Sequence, residues 1–177
     1  MTDNPSFTVK SNVDTPSLSL DMDTPSKPNV LDELKKVIQK KVERAVVEIE
    51  VPERPGVSIR VSPNITQHQL KSWRKQAGDE TKNGMDTIRF ACSVVGHTTT
   101  AIIFGNEVVT DENGVNLTFA SPEILAMTNT TRPLPDCVKA FFGIEPHIEA
   151  AAVAIMEAAG YGDSIDAVDP TMKPSQS

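Results

Sequence analysis

The hydrophobic pattern of the chain has a helical period first and a strand period after residue 46. From position 31 onward, apolar residues recur every three or four positions, and lysines and an arginine occupy the other faces. This spacing predicts an amphipathic helix that begins after the N-cap Asn29 and continues to Ala45. Its apolar stripe comprises Leu31, Leu34, Ile38, Val42 and Ala45. A basic helix of this kind is typical of a solvated face over a core stripe, and a membrane-surface or partner-binding element is the alternative.

A β-hairpin follows, because the period shortens to two. Segments 47–51 and 57–61 alternate apolar with charged or polar residues, and the segment between them contains two prolines and a glycine. Such alternation on both sides of a turn signal predicts two antiparallel strands with one buried face. We expect Glu48 to face water near Arg60.

The next predicted helix runs to about Ala77. Asn64 followed by Gln67 fits a capping box, and Gly78 suits the position after the last turn. Trp73, the single tryptophan of the chain, falls on the apolar face. We predict that Trp73 anchors the core, and an exposed partner-binding role is the alternative.

The sequence of residues 86–95, which follow a polar loop at 79–84, is compatible with either a helix or a strand. The apolar positions fit a helix (Ile88, Ala91, Cys92 and Val95) and also a strand (Ile88, Phe90, Cys92 and Val94). The helix is favoured, because Asp86 offers an N-cap and Gly96 a stop.

Three strands and three helices are predicted for the second half. The strands span 99–104, 107–110 and 116–119, with tight turns at 105–106 and 111–114. The helices begin at Ser121 and Pro122, at Pro135 and at Pro146, and the last two end at Gly143 and Gly160. The order lacks the βαβ alternation of a parallel nucleotide-binding sheet. The sequence therefore predicts an α+β fold: a small antiparallel sheet (hairpin plus meander) packed with helices, with a C-terminal three-helix segment.

Both ends have the composition of disordered tails. Residues 1–29 are rich in Ser, Thr, Asp and Pro, and residues 163–177 are polar and acidic. Such segments bury too little apolar surface to offset the entropy lost on ordering. We predict a disordered leader (1–29), one domain (30–162) and a disordered acidic tail (163–177). A short linear interaction motif in the leader is the alternative.

Charge and cysteine content narrow the function classes. The net charge of -7 disfavours nucleic-acid binding, although Lys71, Arg74 and Lys75 leave a small DNA-binding regulator as an alternative. We expect neither a membrane span nor a signal peptide, because no apolar run reaches about 18 residues and no basic patch precedes an apolar stretch. Cys92 and Cys137 lie in apolar surroundings, which predicts buried thiols in a reducing cytoplasm.

The sequence carries no recognisable catalytic motif. Phosphate-binding, zinc-protease and serine-hydrolase signatures do not occur, and His68, His97 and His147 have no nucleophile or second ligand at useful spacing. The loop at Asp111 departs from a calcium loop, because its twelfth position is Pro122. We therefore predict a non-enzymatic protein with no catalytic residue, cofactor or metal. An enzyme with an unrecognised site is a minor alternative.

Short segments between Val57 and Thr171, about two thirds of the chain, occur in the order typical of one protein family. The strand at 57–61 is followed by 70–75, 88–95 and 117–125, and then by Val138-Lys-Ala-Phe-Phe-Gly143, Ala158-Ala-Gly-Tyr-Gly162 and Asp169-Pro-Thr171. In this order the segments resemble the tail assembly chaperones of long-tailed phages that infect actinobacteria. They consist of packing and capping residues, so the resemblance implies a role more than a site. The leader departs from it.

The resemblance implies a protein of the host cell cytoplasm that binds the tape measure protein while a long non-contractile tail assembles. Tail tube subunits are a second implied partner, and the finished virion would lack the chaperone. The third implied partner is a longer form of the same protein, made by ribosomal frameshifting near residues 169–171. The alternative function is a structural virion component, such as a tail terminator or a head-to-tail connector subunit.

A binding surface is expected on the last three helices. Helices at 122–128, 135–142 and 146–159 can form an apolar groove for a client helix. The candidate partner-binding residues are Trp73, Phe141, Phe142, Ile148 and Ile155. The alternative is that these side chains belong to the core.

Overall fold

The computed structural model describes residues 29–78 and 84–162. Its contacts divide the chain into two units between Lys41 and Val42. The predicted domain at 30–162 therefore spans parts of both units, and its first helix belongs to the first unit. Apart from Asn29, the predicted leader and tail lie outside the described residues, as does most of the polar loop at 79–84.

The first unit contains helix α1, Val30–Gln39. The Asn29 side chain accepts a hydrogen bond from the Leu31 backbone N–H at 3.1 Å, which confirms the predicted cap. The predicted continuation to Ala45 is wrong, because the backbone is extended at Lys40 and residues 41–46 belong to no helix. All the side chains of α1 are exposed.

The start of the second unit explains why the helical pattern is not followed to residue 45. The guanidinium of Arg44 donates hydrogen bonds to the backbone oxygens of Pro63 and Ile65, at 3.2 and 3.4 Å. These bonds attach residue 44 to a segment about 20 positions later in the chain, which is a long-range contact that the local helical pattern does not contain. Val42 and Ala45, predicted as part of the apolar stripe, are exposed.

Four antiparallel strands form the sheet. They are β1 (Val47–Glu50), β2 (Val57–Val61), β3 (Thr99–Phe104) and β4 (Glu107–Val108), in that spatial order. The hairpin is confirmed, and Glu48 lies opposite Arg60 in an ion pair of 2.7 Å. The turn between β3 and β4 has positive φ at Gly105 (57°) and Asn106 (69°), as a two-residue hairpin requires.

The predicted third strand of the meander is wrong. Segment 116–119 makes a single bridge, between Asn116 and Thr110, and separate hydrogen bonds join Leu117 to Ile102 and Val109. β4 has two residues, so it offers too short an edge for a ladder. Leu117 is nevertheless buried, which places this segment against the core.

The helices of the second unit complete the α+β fold. They are α2 (Gln67–Gln76), α3 (Thr87–Thr98), α4 (Pro122–Met127), α5 (Val138–Phe142) and α6 (Glu145–Ala158), and a helical turn at Pro133–Cys137 precedes α5. No helix among the described residues is long and apolar enough to cross a membrane.

The capping box of α2 lies two residues later than predicted. Thr66, not Asn64, is the N-cap: its hydroxyl accepts from the Gln69 N–H at 3.2 Å, and the Gln69 side chain accepts from the Thr66 N–H at 2.9 Å. The buried Ile65 explains the shift, because the chain must remain extended until this side chain has entered the core.

Residues 86–95 are helical, as favoured from the sequence. Asp86 caps α3 by accepting from the Arg89 N–H at 2.9 Å. The predicted stop at Gly96 is wrong, since α3 continues to Thr98. The close approach of Leu134 explains why position 96 is a glycine, because a Cβ there would overlap the Leu134 side chain.

One hydrophobic core joins the sheet to the helices of the second unit. Its members include Ile59, Val61, Ile102, Leu70, Val94, Val95, Phe119, Phe142, Ile148 and Ile155. Cys92 and Cys137 are buried free thiols, as predicted. Burial raises the pKa of the Cys92 thiol to about 12, so this sulfur stays protonated at neutral pH.

Candidate functional site

Four of the five residues predicted to bind a partner belong to the core. Trp73 is 5% exposed, and Phe142, Ile148 and Ile155 have no exposed surface. A side chain without exposed surface cannot contact a partner while the domain keeps this packing. Phe141 is half-buried and is the one member of the set that reaches the surface.

Aromatic contacts account for the positions of Trp73 and Phe141. The Trp73 indole stacks on the His97 imidazole, with ring centroids 5.2 Å apart and planes 5° from parallel. Burial lowers the pKa of His97, which favours the neutral imidazole in this stack. Phe141 packs edge-on against Phe119 at 5.1 Å. Both predicted binding residues therefore serve internal packing.

The surface next to Phe141 is a depression of about 430 Å³ between the β1–β2 turn and the ends of α4 and α5. Its lining residues are Arg54, Val57, Met127, Thr128, Ala140 and Phe141. The Arg54 guanidinium donates to the backbone oxygens of Phe141 and Ala140, at 3.1 and 3.2 Å. Because the charged Arg54 is part of its lining, this depression suits an apolar client less well than a fully apolar surface would.

A more apolar groove of about 500 Å³ lies between α3 and α6, and we call it the α3–α6 groove. Thr87, Phe90 and Ala91 line it from α3, Glu149, Ala152, Val153, Met156 and Glu157 line it from α6, and Tyr161 and Gly162 close one end. Ala91 and Ala152 are buried at its floor, whereas Val153 is 56% exposed. The groove thus presents apolar side chains to solvent above a floor of small residues.

The composition of α6 explains how the groove forms. Ile148 and Ile155 point into the core, and the alanines between them let α6 pack closely on α3. Val153 and Met156 lie on a different face from these isoleucines. A helix that is apolar on more than one face either lies fully inside a protein or presents one face to a partner.

The closed end of the groove is built by the C-terminal cap of α6. Gly160 adopts φ +83°, and the Tyr161 N–H donates to the Met156 oxygen at 2.9 Å. Together with the bond from Gly160 to Glu157, this is a Schellman motif. The motif confirms the predicted end at Gly160 and brings Tyr161 beside Met156 in the groove wall.

Two carboxylates give the groove its charge. Glu149 and Glu157 both line it, and the Glu149 Oε1 accepts a hydrogen bond from the Thr87 hydroxyl at 2.9 Å. No lysine or arginine is among the lining residues. The guanidinium of Arg74 lies 5.9 Å from the centre of the Phe90 ring, at the α3 side. The α6 edge is therefore negative.

Groups suited to catalysis are scattered over the described residues. His68 is exposed on α2, His97 stacks on Trp73, and the Nδ1 of His147 is buried without a hydrogen-bond partner among the described residues. In segments 29–78 and 84–162, no three His, Cys, Asp or Glu side chains lie close enough to hold a metal ion.

The residues that shape the α3–α6 groove were not predicted from the sequence. Phe90, Val153 and Met156 lie in segments predicted correctly as helix, and Tyr161 follows the predicted end of the last helix. The sequence feature that could have predicted the groove is the second apolar face of α6, because Val153 and Met156 lie on a different face from Ile148 and Ile155. The alanine-rich sequence masks this signal, because alanine suits both a core face and a surface.

Two of the segments that carry the resemblance to tail assembly chaperones contribute residues to this groove. Segment 88–95 belongs to α3, and segment 158–162 closes α6. The resemblance is one of sequence alone and stays a prediction. Comparisons with protein-family models, curated proteins and solved structures returned no match to this chain.

Proposed function

We propose that this chain is a non-enzymatic phage tail assembly chaperone that binds the tape measure protein through the α3–α6 groove. The observation that carries the proposal is the exposure of Val153 beside Phe90 and Met156, in a groove floored by alanines. An exposed apolar strip of this kind loses contact with water when a partner covers it, and this loss drives association.

A helical client fits the shape of the groove better than an extended peptide. Two adjacent helices leave a furrow between them, and an amphipathic helix places apolar anchors at positions i, i+3 or i+4, and i+7 into such a furrow. Ala91 and Ala152 at the floor let the client backbone approach closely. An extended peptide would instead seek the unpaired backbone groups of a sheet edge, which the groove does not contain.

The chaperone role follows from covering the apolar face of the client before the tail closes around it. Tail tube subunits are a second client of the same chemistry. A frameshifted longer product would share residues 87–162 and with them the groove. The protein acts in the host cell cytoplasm and is released before the virion is complete.

A co-expression pulldown with the other tail proteins of the phage tests the proposal. We expect the tape measure protein to be retained and to lose solubility when this chain is omitted. Val153→Glu should reduce retention at least tenfold, because a carboxylate would be buried in an apolar contact. Val115→Glu is the matched control, since Val115 is 60% exposed and lies in a turn away from the groove.

The proposal fails if Val153→Glu retains the tape measure protein as well as Val115→Glu does. It also fails if the chain is found by mass spectrometry in purified virions and assembles into a closed ring by itself. The ring would instead favour a structural virion component, such as a tail terminator or a connector subunit.

A further inference from the structure

We infer that the helix bound in the α3–α6 groove carries two basic residues at the edge of its apolar face, seven or eight positions apart. This inference rests on the proposed function and names the chemistry of its client. The observation behind it is that Glu149 and Glu157 line the groove on the α6 side, whereas no lysine or arginine is among the lining residues.

The spacing follows from helix geometry. Glu149 and Glu157 are eight residues apart on one helix, which corresponds to about 12 Å along the axis. A client helix that lies along α6 presents side chains seven or eight positions apart over nearly the same distance. Lysines or arginines at this spacing meet both carboxylates, whereas a pair one turn apart meets only one.

The surroundings strengthen the negative charge at one end. Glu157 lies in the last turn of α6, where the helix dipole is negative, and α6 contains no lysine or arginine. At the other end, Thr87 holds the Glu149 carboxylate at the groove by its hydrogen bond. A client that covers the apolar floor also displaces water, which weakens the screening between opposite charges at the edge.

The positive charge of Arg74 restricts the basic residues of the client to the α6 edge of the groove. Its guanidinium lies over the Phe90 ring on the opposite side of the groove. A basic client residue on that side would meet a like charge. The client therefore carries its basic pair along one edge of its apolar face, not along both.

Two synthetic 15-residue helical peptides test the inference. Both carry the same leucine stripe, and they differ only in having two lysines or two glutamines eight positions apart at one edge of it. Binding to the full chain is measured by fluorescence anisotropy in 50 mM and 500 mM NaCl. We expect the lysine peptide to bind about fivefold more tightly in low salt, with the difference lost in high salt.

Variants identify the groups responsible. The double substitution Glu149→Gln and Glu157→Gln should remove the preference for lysine and leave the glutamine peptide unaffected. Glu107→Gln with Glu112→Gln, two exposed carboxylates outside the lining, should preserve the preference. Val153→Glu should weaken binding of the glutamine peptide, because that peptide depends on apolar contacts alone.

The outcomes separate this inference from the proposed function. Equal affinities for the two peptides, both weakened by Val153→Glu, would overturn the basic pair and leave the groove as a docking site. No binding of either peptide at millimolar concentration, or binding unaffected by Val153→Glu, would overturn the docking site as well. If light scattering shows self-association that Val153→Glu abolishes, a second copy of the chain is the occupant and the inference is wrong.

Discussion

The phenolic hydroxyl of Tyr161 donates a hydrogen bond of 3.0 Å to the backbone oxygen of Ile65, 96 positions earlier in the chain. Ile65 immediately precedes the cap of α2, and Tyr161 closes one end of the α3–α6 groove. The bond therefore ties the groove wall to a second helix. It also gives a partner for the hydroxyl of a side chain that otherwise packs against the hydrophobic core.

Replacing Tyr161 by Phe should remove this bond while keeping the ring in place. We expect the free energy of unfolding to fall by about 1 kcal/mol, the usual net contribution of one hydrogen bond. Urea denaturation followed by Trp73 fluorescence measures the change. An unchanged midpoint would mean that the bond does not persist in solution. Tyr161→Leu, which also removes the ring, should cost more and weaken peptide binding in the groove.

The position of the capping box gives a second prediction. Thr66→Ala should lower the free energy of unfolding by about 1 kcal/mol, because it leaves the Gln69 N–H without its acceptor. Asn64→Ala is the matched control, since the exposed Asn64 side chain donates to the Ser62 hydroxyl and does not cap α2. The two variants should differ clearly in urea denaturation. A larger effect at Asn64 would restore the cap expected from the sequence.

The parts of the fold that were predicted from sequence depend on residues within about four positions of each other. Asn29 and Asp86 cap their helices through side chains that reach two or three residues ahead. The Gly105–Asn106 turn needs only the tolerance of its own two residues for positive φ. Such signals are local, so they can be identified without knowledge of the tertiary structure.

The parts that were missed depend on distant contacts. The helical pattern at 31–45 is followed only to Gln39, and Arg44 beyond it bonds to the backbone of Pro63. Gly96 lies inside α3 and leaves room for the Leu134 side chain, so it is not a helix stop. The candidate site was missed for a related reason. Helical spacing identifies the faces of α6, but which face meets the core and which leaves Val153 exposed depends on how α3 packs.

Stability should depend on pH through His97. Burial lowers the pKa of His97 in the folded protein below its usual value of 6.5, so the unfolded chain binds the proton more readily. The stabilising contribution is therefore complete above pH 6.5 and is lost as the pH falls through the lower pKa of the folded state. The effect is modest, since His97 is an exposed residue that is covered mainly where its ring stacks on Trp73.

Urea midpoints at pH 7.5 and pH 5.0 measure this dependence. We expect the difference between them to become smaller in His97→Gln, which cannot titrate in this range. His68→Gln is the control, because it removes an exposed histidine outside the Trp73–His97 stack, and it should leave the difference unchanged. A pH dependence that is the same in all three proteins would assign it to other groups.

The last prediction concerns Gly96, where two effects of one substitution oppose each other. Alanine is favoured over glycine in a helix interior by about 1 kcal/mol, so Gly96→Ala would stabilise α3 if the site were open. A Cβ at this position would instead overlap the Leu134 side chain, and overpacking of a core costs about 1–3 kcal/mol. We expect the steric effect to prevail and the variant to be destabilised.

Combining Gly96→Ala with Leu134→Ala should recover stability relative to Leu134→Ala alone, because the new methyl group then fills the space that the leucine leaves. Urea denaturation of the four proteins in this double-mutant cycle gives the coupling free energy between the two positions. A Gly96→Ala variant as stable as the parent, with no coupling to position 134, would show that Leu134 does not occupy this site.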